Sequence, residues 1–316
     1  MVHPSHATMI SMLAKEVRDY YFEHIDELDE AHRFHFASRL GAWSRDDTAI
    51  AELEALKSTI CPNDNPHKLR TILQDCLNKQ LDSGINAMGV RGPYFEKFPS
   101  LRGIDFALFK VRHWQTIYGF DGRDILEELL PKQEAAELQQ TLLADQEAIA
   151  FLSTYAINFL YLRNRIIDQD DSFDPAVFFD IERFYDLSDK THLQLYVYLY
   201  THCIIGESNF YARPITANNR TYQEMLRRLE ATIEANYDDI NLDNKLEFLV
   251  CARILGQTSR LAERIYAEAE KSVSPEGTFL IDIHNNNAQA NKLSFNDSEH
   301  RNVLYIMSCT DYNPTS

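Results

Sequence analysis

The stretch THLQLYVYLYTHCIIGESNFYARPI, residues 191–215, decides the fold class of this chain. Its first part is apolar and aromatic for longer than a buried strand usually runs, and it ends at Gly206. Because length separates buried helices from buried strands, this run predicts a helix over about 188–205. The next segment, about 218–236, carries charge on one face, so the two together predict an inner helix followed by an outer one.

The same alternation continues along the chain. Residues 240–256 are mostly apolar, whereas 258–271 carry charge on one face. Alternation with a period of two residues never persists, and 10 Gly with 10 Pro in 316 residues leave few tight turns for a sheet. The sequence therefore predicts an all-α protein of antiparallel helical hairpins. Further helices are predicted over about 7–40, 47–59, 66–83, 101–118, 131–147 and 298–309, with a long loop over 84–100.

Polar residues recur inside the apolar helices at about one helical hairpin per interval: His113, Tyr155, His202, Glu247 and His300. This layout resembles the α/α-toroid class, which includes six-hairpin glycosidases, terpene-cyclase and prenyltransferase barrels, and lanthionine cyclases. The resemblance covers roughly 100–310 and rests on organisation, without a diagnostic motif. The sequence predicts a single helical domain over 1–316, with 1–83 as an N-terminal helical subdomain and 100–310 as the toroid-like hairpins. An open α-solenoid and an irregular bundle are the alternatives.

A toroid would bring polar residues of successive inner helices towards one central cavity. The resemblance therefore makes four residues catalytic candidates: His202, Glu207, Glu247 and His300. For any one of them, the alternative is a structural role, such as an ion pair or a hydrogen bond to the backbone.

The same helices suggest a zinc site. Asp243, Cys251 and His300 follow the Asp, Cys, His order of prenyltransferase-type barrels, and these side chains are zinc ligands. The close Asp-x-Cys spacing of that family is absent, because Asp243 and Cys251 lie eight residues apart. The alternative is that Cys251 is a small core residue.

An acidic run, DQDDSFD at residues 168–174, resembles the acid and magnesium-diphosphate motifs of terpene cyclases. A Mg-dependent terpene synthase-like enzyme is thus a lesser alternative. The second metal motif of those enzymes is incomplete in NYDDINLDNKLEF, where Leu242 occupies the hydroxyl position. Acidic residues before Pro175 are also ordinary helix caps, which favours a capped acidic loop.

Near the start, EHIDELDEAHRFHFASRL (residues 23–40) concentrates His24, Glu27, His32 and His35. Di-iron bundles use Glu-x-x-His on two helices, but here the nearest match, Asp29-x-x-His32, occurs once. The pattern favours a solvated helix face of mixed charge.

Composition limits the partners and the location. With 48 acidic and 31 basic side chains the formal net charge is -17, which disfavours nucleic-acid binding. The N-terminus lacks a signal-peptide pattern, and no 18-residue run is free of charge, so we expect no membrane association. Five scattered cysteines without a C-x-x-C motif favour a cytoplasmic protein.

Two functional hypotheses remain open from the sequence. The first is an enzyme that acts on a small molecule, sugar or peptide through acid–base or metal chemistry. The second is a non-catalytic helical scaffold or protein-interaction module. Motifs for nucleophilic hydrolysis, such as Gly-x-Ser-x-Gly or His-Glu-x-x-His, are absent from the sequence.

Overall fold

The computed structural model describes residues 6–79, 89–170, 173–281 and 295–314. Within these ranges the chain is helical, and its one extended pairing is the antiparallel bridge between Val273 and Leu280. The predicted all-α class is confirmed, whereas the ring-like closure of the hairpins stays a prediction. The α-helices in chain order are α1 (His6–Glu23), α2 (Glu30–Ser44), α3 (Asp47–Ile60), α4 (Pro66–Leu77), α5 (Gly92–Lys97), α6 (Leu101–Tyr118), α7 (Arg123–Leu129), α8 (Lys132–Ala144), α9 (Gln146–Leu152), α10 (Thr154–Arg163), α11 (Lys190–Glu207), α12 (Asn219–Ala235), α13 (Leu242–Ile254), α14 (Ala262–Lys271) and α15 (Glu299–Cys309).

Several helix ends follow the local signals in the sequence. Asp46 precedes α3, and its carboxylate accepts hydrogen bonds from the backbone N–H groups of Thr48 and Ala49, at 3.0 Å each. Pro66 occupies the first turn of α4, where its missing N–H costs nothing. The predicted loop over 84–100 is wrong in one part, because α5 begins at Gly92 with a proline in its first turn. Residues 84–88 of that loop, and 80–83 at the end of the helix predicted over 66–83, lie outside the described residues.

The chain forms two compact units. The first comprises Met1–Ala55 and Ser208–Ser316, and the second comprises Leu56–Glu207. The single-domain organisation with a subdomain over 1–83 stays a prediction.

In the first unit, α15 is the central element. It packs against α1, α2 and α13, and α13 in turn packs against α12 and α14. The apolar run of α15 is buried on all sides, and each such side chain stabilises the fold by about 1.5–3 kcal/mol. Its members are Val303, Leu304, Tyr305, Ile306 and Met307. This packing fixes the first turn of α15 next to α2 and α13.

In the second unit, α10 is the central element. It packs against α6, α9 and α11, while α4 packs on α6. The indole N–H of Trp114 donates to the carbonyl of Ile60 at 2.7 Å, which satisfies a buried polar group. Arg165 donates to the carbonyl of Gly206 at 2.8 Å and so caps the C-terminal end of α11.

Within the described parts of the chain, no helix combines the length and the apolar character that crossing a membrane requires.

Candidate functional site

In the first unit, three helices bring six charged or titratable side chains together. Helix α15 packs against both α2 and α13, so the first turn of α15 meets side chains from both neighbours. We call this group the di-histidine cluster: His35 and Arg39 from α2, Asp243 from α13, and Glu299, His300 and Arg301 from α15. Glu299 lies in the first turn of its helix, where the helix dipole favours a negative charge.

The pair of His35 and Glu299 is the best-defined contact of the cluster. The Nδ1 atom of His35 lies 2.7 Å from Oε2 and 2.9 Å from Oε1 of Glu299. The side chain of Glu299 is only 1% exposed, whereas that of His35 is 34% exposed. Because an ionised carboxylate can only accept, Nδ1 carries the proton and Nε2 carries the lone pair. Among the described residues, Nε2 of His35 has no hydrogen-bond partner.

The second imidazole stands beside a second carboxylate. The Nδ1 atom of His300 lies 3.8 Å from Oδ2 of Asp243, longer than a hydrogen bond but within ion-pair range when the ring is protonated. The other oxygen of Asp243 lies 2.6 Å from Nε of Arg301. The ring centroids of His35 and His300 are 5.7 Å apart. The cluster therefore pairs two imidazoles, each with a carboxylate at its Nδ1 side.

The surroundings set the charges of these groups. Desolvation by the surrounding protein, together with the positive charge of Arg39, lowers the pKa of His35 to about 4, although Glu299 opposes this. His35 is therefore neutral at pH 7. Desolvation also disfavours the ionised form of Glu299, but His35, Arg39 and His300 outweigh it and the pKa of Glu299 falls below its usual value. For Asp243 desolvation is likewise outweighed, by His300 and Arg301, so its pKa is lowered and it is ionised at pH 7.

Two of the residues predicted from the sequence, Asp243 and His300, are thus brought together. Glu247 lies one turn after Asp243 on α13 and is buried. Cys251 lies a further turn along and is also buried. With a rise of about 1.5 Å per residue, Cys251 is about 12 Å from Asp243 along the helix axis.

The other two predicted residues belong to the second unit. The Nδ1 atom of His202 on α11 forms a 2.8 Å hydrogen bond with the side-chain oxygen of Asn158 on α10. Glu207 is the last residue of α11 and is buried. A shared site of His202, Glu207, Glu247 and His300 stays a prediction.

The predicted metal motifs have the following surroundings. Among the residues that the structure describes, no group of three or more His, Cys, Asp and Glu side chains is arranged to hold a metal ion. The zinc set of Asp243, Cys251 and His300 stays a prediction from the sequence. In the acidic run 168–174, Asp168 pairs with Arg163 at 2.5 Å, and Asp174 accepts from the backbone N–H of Ala176 at 2.9 Å. Asp174 thus acts as a helix cap; residues 171 and 172 lie outside the described residues.

Sequence reasoning missed the role of His35, Arg39 and Arg301. It placed His35 on a solvated face of mixed charge, and two neighbouring histidines do fit that interpretation. His24 contacts Glu27 at 2.8 Å and His32 contacts Asp29 at 2.7 Å, both through local, exposed pairs. His35 differs because its partner is 264 residues away in the chain. The available signal was limited to a histidine and an arginine four residues apart on α2.

Comparison of the chain with protein-family models, with curated proteins and with solved structures gives no match. The function is therefore argued from the chemistry of the di-histidine cluster.

Proposed function

We propose that the di-histidine cluster is the active site of an enzyme that acts on a small molecule by general acid–base catalysis. The observation that carries the proposal is the pairing of His35 with Glu299 and of His300 with Asp243, with the two rings 5.7 Å apart. A carboxylate hydrogen-bonded to Nδ1, as Glu299 is to His35, orients an imidazole and fixes which nitrogen meets the substrate. Two such imidazoles can serve two proton transfers in one reaction.

The two histidines are given different roles. His35 is neutral at pH 7, and its Nε2 lone pair faces away from Glu299, so we assign it the role of base. His300 stands beside the ionised carboxylate of Asp243, so we assign it the role of acid. Both side chains are partly exposed, at 34% and 38%, which leaves a substrate access to the rings.

Three predictions from the sequence are part of this proposal: the kind of ligand, the toroid arrangement and the location. The small molecule, sugar or peptide expected as a ligand becomes the substrate of the cluster. The α/α-toroid arrangement and the cytoplasmic location are proposed with it. The location is supported by the five cysteines, which all lie among the described residues and form no disulfide.

Turnover of chromogenic esters, phosphodiesters and glycosides by three matched variants tests the proposal. Loss of one general acid or base lowers a rate by about 10²–10⁴-fold, so we expect at least a 100-fold fall in kcat/KM for His35→Gln and for His300→Gln. His32→Gln is the control, because His32 lies on the same helix and also contacts a carboxylate, Asp29. Equal turnover by the wild-type protein and both cluster variants would overturn the proposal. Wild-type turnover no faster than that of a variant that carries both His35→Gln and His300→Gln would count equally against it.

A further inference from the structure

Arg39 is a member of the cluster whose guanidinium contacts an aromatic ring but pairs with no carboxylate among the described residues. Among the described residues, its guanidinium donates no hydrogen bond and forms no ion pair. Its Nη1 atom is enclosed by protein and lacks an acceptor. A buried donor without an acceptor costs about 1–3 kcal/mol, so such groups call for an explanation.

The position of Arg39 places this charge at the active site. Arg39 follows His35 by four residues on α2, so both side chains lie on the same face of the helix. The positive charge of Arg39 lowers the pKa of both His35 and Glu299, as expected for a cation on the same helix face as His35. The carboxylates of the cluster contact other side chains. Glu299 contacts His35, and Asp243 contacts Arg301 and His300.

The guanidinium of Arg39 lies over the ring of a buried tyrosine. Its central carbon lies 5.5 Å from the ring centroid of Tyr211, a cation–π contact. The Tyr211 ring is itself buried and lies edge-on to the buried ring of Trp43, with centroids 6.2 Å apart.

The backbone under Tyr211 is strained. Asn209, Phe210 and Tyr211 all have positive φ, at 50°, 51° and 74°. A residue other than glycine in this region costs of order 1–3 kcal/mol, and such strain is concentrated at ligand-binding and catalytic sites. The turn that delivers Tyr211 to Arg39 therefore has a local cost that other contacts must offset.

We infer that Arg39 binds an oxyanion of the substrate, a phosphoryl or a carboxylate group, next to the two imidazoles. An arginine offers paired N–H donors that match both groups in a bidentate fashion. In this arrangement the anion lies beside His35, and the acid–base groups act on a bond near it. The inference deepens the proposed function and rests on it for the chemistry, but its test measures binding alone.

The test is the binding of inorganic phosphate and of acetate, followed by NMR at constant ionic strength with chloride as the reference anion. We expect Arg39→Met to weaken binding about 10- to 100-fold, in line with a charge-assisted bidentate contact. Arg39→Lys keeps the charge but loses the paired donors, so its affinity for the anion should lie between that of the wild-type protein and that of Arg39→Met. Arg264→Met is the matched control, because Arg264 also stacks on a tyrosine, Tyr237 at 3.4 Å, but lies outside the cluster.

Two comparisons complete the test. The first compares phosphate with acetate and identifies the anionic group of the substrate. The second distinguishes a failure of this inference from a failure of the proposed function. Preference for phosphate identifies a phosphorylated substrate, and preference for acetate identifies a carboxylic acid. The double variant His35→Gln with His300→Gln should still bind the anion within about threefold of wild type, because Arg39 supplies the contact. Binding that survives Arg39→Met, or wild-type binding no tighter than that of chloride, would overturn the inference. Anion binding by a protein without histidine-dependent turnover would refute only the proposed function.

Discussion

The substitution Glu299→Gln tests whether a buried carboxylate orients His35. Glutamine keeps the volume of the side chain, so the change opens no cavity and removes only the charge. The lost contact is a charge-assisted hydrogen bond at 2.7–2.9 Å, formed with a carboxylate that is 1% exposed. Such bonds contribute about 1.5–3 kcal/mol.

Part of this loss is recovered, since a neutral amide has a smaller desolvation cost than a carboxylate. We therefore expect the free energy of unfolding at pH 7 to fall by about 1–2 kcal/mol. The variant should also change His35 itself. Glu299 raises the pKa of His35 against desolvation and Arg39, so its removal should move that pKa below its value of about 4. A glutamine NH₂ facing Nδ1 would also transfer the ring proton to Nε2.

Two measurements check this prediction. Urea unfolding gives the change in stability, and ¹⁵N NMR of the imidazole gives the tautomer and the pKa of His35. The control is Glu263→Gln, because Glu263 is an exposed residue in the first turn of α14. An unchanged stability together with an unchanged tautomer and pKa would refute the assignment of Glu299 as the group that orients His35.

Three further predictions concern buried groups within one or the other of the two units. Gly103→Ala should destabilise the protein by about 1–3 kcal/mol, because the new Cβ would lie 2.4 Å from the carbonyl oxygen of Leu77. Gly92→Ala, which meets nothing within 4 Å, is the control, and equal melting temperatures of the two variants would contradict the clash. Glu268→Gln should cost about 3–5 kcal/mol, since it leaves the ammonium of Lys245, which is 2% exposed, without its partner at 2.9 Å. Adding Lys245→Met should restore most of the unfolding free energy; no recovery in the double variant would argue against the buried pair. Burial raises the pKa of Asp105 well above its usual value. A raised pKa stabilises the fold at pH below the unfolded value, near 3.8, and this stability is lost as pH rises through the folded value. Asp105→Asn should therefore flatten that pH dependence in thermal melts, and an unchanged slope would disprove it.

The sequence by itself determined the helices. Long apolar runs and the alternation of inner and outer helices are local patterns, because each residue reports the environment of its own helix face. The helices predicted over 188–205, 218–236, 240–256 and 298–309 accordingly correspond to α11, α12, α13 and α15. Helix caps such as Asp46 can be predicted from the sequence for the same reason. A cap and the N–H groups it satisfies are only a few residues apart.

The sequence also indicated part of the candidate site. Asp243 and His300 were predicted as polar residues on apolar helices. In the structure, Nδ1 of His300 lies 3.8 Å from Oδ2 of Asp243. The sequence could not select Arg39 or give His35 a partner. On a helix surface those residues look like any others in a run of mixed charge.

The tertiary structure alone decided that His35 meets Glu299. These residues are 264 positions apart, and no local pattern encodes their meeting. It follows from the packing of α15 against α2 and α13, which depends on the shapes of side chains from all three helices. The candidate site of this protein is therefore set by contacts between helices, whereas its fold class is set by patterns within them.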